Sequence, residues 1–212
     1  MQLVMMRHGA TRANEERRYA GMRTDDALTD GGRAQCLAAG VFPTVERVYT
    51  SPLLRAQQTA RICFPQAEII AWPGLEEYDF GAFEGHTADE MTNDVDYRAW
   101  LDSGCTSRCP QGDSRVSYIE RSNSALVQLL QEAAHRGEDQ VIVVGHNGTI
   151  MAAFHAFATS EQGRRLNRAD VDYFNWHVPN AQGYTAQAIF GAQDSSAQLT
   201  FTQCRRFETL PL

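Results

Sequence analysis

Three short strings in this chain carry side chains suited to one kind of chemistry. The first, Met5-Met6-Arg7-His8-Gly9-Ala10-Thr11, delivers an arginine and a histidine, then a glycine that permits a sharp turn. The second, Gly145-His146-Asn147-Gly148, follows the apolar run 141–144 and opens a helix whose free amide N–H groups suit an anion. The third, Thr50-Ser51-Pro52-Leu53-Leu54-Arg55, puts an arginine one turn into a helix. Two guanidiniums give bidentate donors for a tetrahedral dianion. Their charges also lower the pKa of a nearby histidine and keep it neutral and nucleophilic near pH 7. The chain has no Ser or Cys nucleophile elbow, and its carboxylates lack metal-ligand spacing such as His-x-x-Glu or Asp-x-Asp. Attack of a neutral histidine on phosphorus is the chemistry left, giving a phosphohistidine with the arginines on the equatorial oxygens. The leaving oxygen then needs a general acid. Glu76, Glu77, Asp79 and Glu84 are candidates, set among Tyr78, Phe80 and Phe83, where burial raises a carboxyl's pKa. Residue physics does not choose among the four.

These groups must be brought together by alternating strands and helices. Residues 2–6, 47–50, 67–72 and 141–144 read as short strands, the last fully apolar and therefore central. Thr29 reads as the N-cap of a helix over 30–41, and Pro52 as a first-turn residue of a helix running to Cys63. Residues 148–158 form the helix after the fourth strand. Segments 183–190 and 198–207 alternate like paired strands. The stretch 78–137 breaks the alternation. It carries a helical piece near 88–101, a Cys/Gly/Pro-rich loop at 103–113 and a longer helix over 114–136. Val116, Ile119, Leu126, Leu129 and Leu130 lie on one face of that helix. The expected fold is three-layer α/β/α with a mostly parallel sheet, all of 1–212 forming one domain. The arginine and histidine strings fall at the carboxyl ends of strands, where open α/β sheets bind ligands.

Composition narrows the options. Lys and Arg number 19, and every one is arginine, so Schiff-base and Walker-type lysine chemistry are excluded. The net charge of −7 argues against a nucleic-acid partner. At 212 residues the chain can bury roughly 70% of its unfolded surface without a metal or disulfide staple. Five scattered cysteines, among them Cys105 and Cys109, read as free thiols, with a local disulfide between those two as the rival. No secretory leader or membrane-spanning run is present, which implies a cytoplasmic protein without a membrane partner.

The motifs resemble those of the histidine phosphatase superfamily, also called phosphoglycerate-mutase-like, over nearly the whole chain. Arg7-His8-Gly9 with Thr11 and Asn14, the Leu28–Gln35 helix start, Ser51 to Ala60, Leu75 to Gly85 and Gly145-His146 follow that family's order. The resemblance implies that His8 is the phosphorylated nucleophile and that Arg7, Arg55, His146 and Asn14 bind the phosphoryl group. It makes Glu77 the proton donor, with Glu76 standing where the family often has arginine. It further implies no metal, no organic cofactor, and a helical lid formed by the 78–137 insertion.

Within the family, the expected activity is hydrolysis of a small phosphorylated metabolite. The mutase branch carries a longer insertion with lysines, whereas here that segment holds Arg98, Arg108, Arg115, Arg121 and Arg136 only. A cofactor-dependent phosphoglycerate mutase is the alternative. The segment 17–29 resembles α-ribazole phosphatases and, equally, broad phosphomonoesterases. A non-catalytic binding protein would have lost one of the catalytic positions, and all are present. Arg12, Arg23, Tyr78 and His177 are candidate specificity residues. The competing reading makes Arg12 and Arg23 surface partners of Asp25, Asp26 or Glu15. His86, His135 and His155 remain unassigned, and the assembly admits a homodimer.

Overall fold

The structure, a computed structural model, describes residues 1–159, 172–191 and 199–212. Six strands form one sheet: β1 (Gln2–Arg7), β2 (Arg47–Thr50), β3 (Glu68–Ala71), β4 (Gln140–Gly145), β5 (Gly183–Phe190) and β6 (Leu199–Phe207), in the order β3-β2-β4-β1-β5-β6. The first four are mutually parallel, and β5 runs antiparallel to both of its neighbours, β1 and β6. Of the expected last strand, Gln198 lies outside the described residues. The central place of β4 follows from its sequence. Val141 and Val143 enter one core cluster while Ile142 and Val144 enter another, so both faces are apolar.

Those two clusters define the layers. Leu3, Met5, Tyr49, Val141 and Val143 pack with α5 (Arg115–His135) and α6 (Asn147–Phe157). Val4, Met6, Val48, Ile142 and Val144 pack with α2 (Asp30–Ala39) and α3 (Leu54–Cys63). A short α1 (Arg12–Glu15) follows β1, and α4 (Val95–Asp102) precedes α5. Thr29 caps α2 by accepting from the Gly32 amide at 3.0 Å, as its sequence position demands.

Three local expectations are corrected. Pro52 stands outside α3, because extended Leu53 is the N-cap and the Pro52 carbonyl accepts from Gln57 Nε2 at 2.7 Å. The helix expected near 88–101 starts only at Val95, where the Asp94 carboxylate takes the Asp96 and Tyr97 amides at 2.8 and 2.9 Å. On α5 the buried stripe is Tyr118, Ser122, Ala125, Leu126, Leu129, Leu130 and Ala133, a 3–4 spacing that leaves Val116 62% exposed. Tyr118 and Ser122 have polar tips, which hid the true phase of this helix. All five cysteines are free thiols.

Candidate active site

Sheet register builds the site. Arg7 pairs with Gly145 across β1 and β4, and Thr50 pairs with Val144 across β2 and β4. The chain therefore leaves three neighbouring strands at one level, carrying His8, His146 and Ser51 to the same edge. The His8 and His146 rings meet edge-on with centroids 5.2 Å apart, and both are buried. Gly9 is required by close approach, since a Cβ there would lie 2.5 Å from the Gly32 carbonyl oxygen. Its amide donates to Thr59 Oγ1 at 3.0 Å, which ties the turn after β1 to α3.

The protonation pattern follows from partners. His8 Nδ1 lies 2.7 Å from the Gly9 carbonyl, which only accepts, so Nδ1 carries the proton and Nε2 presents its lone pair. Arg55 Nε donates to that Nε2 at 3.2 Å. Burial first, then the charges of Arg55 and Arg7, push the His8 pKa well below its usual value. Burial, then Arg55 and the neighbouring His8, do the same to His146. His146 Nε2 is 2.7 Å from Ser51 Oγ, while its buried Nδ1 has no hydrogen-bond partner.

The two arginines are held by neutral groups. Arg55 donates to the carbonyls of Gly21, at 3.0 Å, and Thr24. Arg7 donates to the Val178 carbonyl at 2.8 Å, and its buried Nε has no partner. Among the ion pairs of the described residues neither guanidinium meets a carboxylate. Burial lowers the pKa of both. Two desolvated, unneutralised cations beside a neutral imidazole form a receptor for a dianion.

Of the four acidic candidates, Glu77 alone lines the cavity beside this cluster. Glu76 accepts from the Gly74 amide at 2.8 Å, Asp79 pairs with Arg23 at 2.8 Å, and Glu84 accepts from Thr24 at 2.7 Å. Glu77 instead accepts from the amides of Tyr78 (2.9 Å) and Gly148 (3.1 Å) and from Tyr118 Oη (2.9 Å). The Gly148 contact seats the carboxylate on the N-terminus of α6. The cavity measures about 250 Å³ and is walled by Tyr19, Phe80, Trp100, Tyr173 and Phe174, with Arg115 as its cation. The Arg115 guanidinium lies 5.0 and 4.9 Å from the ring centres of Tyr173 and Phe174.

The remaining candidates fall in different places. Asn14 Oδ1 accepts from the Thr11 amide (3.1 Å) and from Asn180 Nδ2 (3.2 Å), leaving its NH₂ to donate to an anion. The Tyr78 ring lines the cavity, but its hydroxyl donates away, to the Asp113 carbonyl at 2.8 Å. Arg12 and Arg23 are exposed and paired, with Glu16 and Asp79 respectively, so the surface reading was right in kind and wrong in partners. His177 is exposed next to Val178, its pKa lowered by partial burial and then by Arg7 and Arg206. Sequence reasoning missed Ser51, Thr59, Tyr118 and Asn180 as site residues. Ser51 and Thr59 stood inside a motif already noticed, and Asn180, which also donates to the His8 carbonyl at 3.0 Å, follows His177 by three. Tyr118 carried no signal.

Comparison with known proteins agrees with this geometry. Residues 3–187 match the histidine phosphatase superfamily (branch 1). A probable phosphoglycerate mutase of Escherichia fergusonii is 31% identical over 138 residues, covering 62% of this chain and 64% of that protein. A bifunctional protein of Mycobacterium tuberculosis is 31% identical over 161 residues, covering 72% of this chain and 40% of that one. The chain thus spans less than two thirds of the length of either relative. The crystal structure of a putative α-ribazole-5′-phosphate phosphatase from Escherichia coli superposes with a TM-score of 0.78 at 20% identity, covering 100% of this chain and 98% of that one, which shows the shared fold. The chain belongs to the histidine phosphatase superfamily.

Proposed function

We propose that this chain is a phosphomonoesterase acting through a phosphohistidine. The observation that carries the reading is the pairing of His8, neutral with its Nε2 lone pair presented, with the buried Arg55 and half-buried Arg7 guanidiniums, which meet no carboxylate among the ion pairs of the described residues. A phosphoryl dianion neutralises Arg7 and Arg55. His146 Nδ1, unpartnered, and the Asn14 amide add donors. His8 Nε2 attacks phosphorus, Glu77 protonates the departing alkoxide, and water then cleaves the phosphohistidine with Glu77 as base. No metal or organic cofactor enters, and the substrate is a small cytoplasmic metabolite. The insertion, including α4 and the start of α5, acts as a lid that walls the leaving-group cavity.

The character of that cavity favours hydrolysis over mutase chemistry. A mutase must hold the carboxylate and second phosphate of a bisphosphoglycerate. Among the described residues the wall is aromatic and its one cation, Arg115, already faces two rings. Arg121 is spent on Asp113 (3.1 Å), and Arg136 pairs with Glu138 at 3.2 Å. A ring-bearing alcohol suits such a wall, so α-ribazole phosphate, named for the Escherichia coli neighbour, is a suitable first substrate to test. The mutase reading is supported by the name of the Escherichia fergusonii relative.

The test is rapid quench with ³²P-labelled p-nitrophenyl phosphate, in EDTA, followed by a panel that includes α-ribazole phosphate and 3-phosphoglycerate with 2,3-bisphosphoglycerate. An acid-labile, base-stable phosphoenzyme and phosphate release support the reading. Loss of activity in EDTA, or rapid formation of 2-phosphoglycerate, overturns it.

A further inference from the structure

The three donors to Glu77 are divided unequally. Oε1 accepts two, from the Tyr78 amide and Tyr118 Oη, each at 2.9 Å. Oε2 accepts one, from the Gly148 amide at 3.1 Å. A carboxylate oxygen offers two lone-pair positions, so Oε1 is filled and Oε2 keeps one open. Tyr118 can only be the donor to a carboxylate. Its other partner, Thr149 Oγ1 at 3.2 Å, therefore donates to it, which orders the bonds Thr149 to Tyr118 to Glu77. Burial pushes the Tyr118 pKa well up, so this hydroxyl keeps its proton. The backbone closes tightly around the arrangement. A Cβ on Gly148 would lie 2.2 Å from Glu77 Oε1 and 2.8 Å from Tyr118 Oη.

We propose that Tyr118 is the positioning residue of the general acid: by filling Oε1 it makes Oε2 the oxygen that carries and delivers the proton. The proposal rests on the reading of Glu77 as proton donor. In the step itself the Nε2–P bond to His8 forms as the P–O bond to the leaving group breaks. The bonding pair stays on the leaving oxygen, and the Oε2–H proton moves to that oxygen. Without Tyr118 both oxygens compete for the proton, and the ionised carboxylate loses a donor. Among the described residues, Glu77 is also faced by Arg7 and Arg55 from the strand-end side, by Tyr173, by Arg115, which lines the same cavity, and by Arg121 on α5, which donates to the Glu77 carbonyl at 3.2 Å.

Tyr118→Phe keeps the ring and removes the hydroxyl. In the phosphate-free protein, the ¹³C carboxyl resonance of Glu77, read at one fixed pH, leaves its wild-type position as Oε1 loses a donor. Glycerol 2-phosphate, whose alkoxide needs the proton, loses about tenfold in kcat, and p-nitrophenyl phosphate loses far less. Thr149→Val, which removes only the donor to Tyr118, moves the resonance in the same direction by less, and Thr149→Ser restores it. An unmoved resonance together with equal losses on both substrates makes Tyr118 merely structural and overturns the proposal. If wild type hydrolyses neither ester, the phosphatase reading fails, while the carboxyl resonance still decides what Tyr118 does.

Discussion

Arg55 Nε donates to His8 Nε2 at 3.2 Å, so the nitrogen that would attack phosphorus rests against the cation that would bind the phosphoryl group. The contact fixes the imidazole tautomer together with the Gly9 carbonyl. On the proposed mechanism an arriving phosphoryl oxygen would replace Nε2 as the acceptor of that N–H and free the lone pair at the moment the electrophile is in place, so that nucleophile exposure and substrate binding would be one event.

His8→Ala removes the proposed nucleophile. Hydrolysis of p-nitrophenyl phosphate falls by about 10⁴-fold or more, and no phosphoenzyme is trapped, while circular dichroism stays that of the wild type. Turnover near the wild-type rate would place the attack on another group.

Arg55→Lys keeps the charge and loses the fork. Lysine cannot serve His8 Nε2 and the Gly21 and Thr24 carbonyls at once. The expected loss is about 10²–10³-fold in kcat/KM, with weaker binding of vanadate measured in parallel. A variant within threefold of wild type would show that charge alone suffices.

The two buried histidines set an acid limit on stability. Their folded pKa values lie well below the usual 6.5, so between 6.5 and those lower values the unfolded chain binds protons that the native state refuses. Stability is therefore full above pH 6.5 and falls as pH drops, by up to about 1.4 kcal/mol per pH unit for each histidine. Urea midpoints measured from pH 7.5 to 5 should show this slope, and His146→Asn should flatten it by about half. An identical slope in the variant would assign the effect to the carboxylates.

Gly148→Ala places a methyl group where the Glu77 carboxylate stands. Glu77 must leave the α6 N-terminus, and kcat falls about 100-fold for alkyl phosphates, with the phosphohistidine still forming from p-nitrophenyl phosphate. A fully active alanine variant would argue that the acid sits elsewhere during turnover.

Phe174 is 48% exposed yet walls the cavity and faces Arg115. Phe174→Ala should leave the melting temperature within a few degrees and raise KM for naphthyl phosphate about fivefold, with little change for glycerol 2-phosphate. Equal effects on the two substrates would remove the ring from the leaving-group site.

What could be read from the sequence divides along a physical line. Arg7, His8, Arg55 and His146 were legible because each sits at the end of a short apolar strand or at the start of a helix, where local pattern fixes position. Residue physics did not single out Glu77 among its acidic neighbours, and only the family resemblance named it, because the choice depends on which carboxylates find partners far along the chain, as Asp79 does with Arg23. Tyr118 was invisible for a related reason. It occupies a core position of α5 that periodicity assigns to an apolar residue, and its hydroxyl acquires meaning only when α6 is packed beside it. Pro52 and the late start of α4 were misjudged because a single extended residue or capping carboxylate outweighs propensity.

The alignment of Arg7 with Gly145 reaches further than placing two side chains. Adjacent strands lie about 4.8 Å apart, and the two imidazoles stand 5.2 Å apart. The gap between the histidines is thus the repeat of the sheet itself, enforced by backbone hydrogen bonds that no side-chain substitution touches. Such a ruler can be re-cut only in whole residues, and a slip by one turns either histidine to the opposite face. Drift in sequence can reshape the aromatic wall freely while the distance between the imidazoles stays quantised.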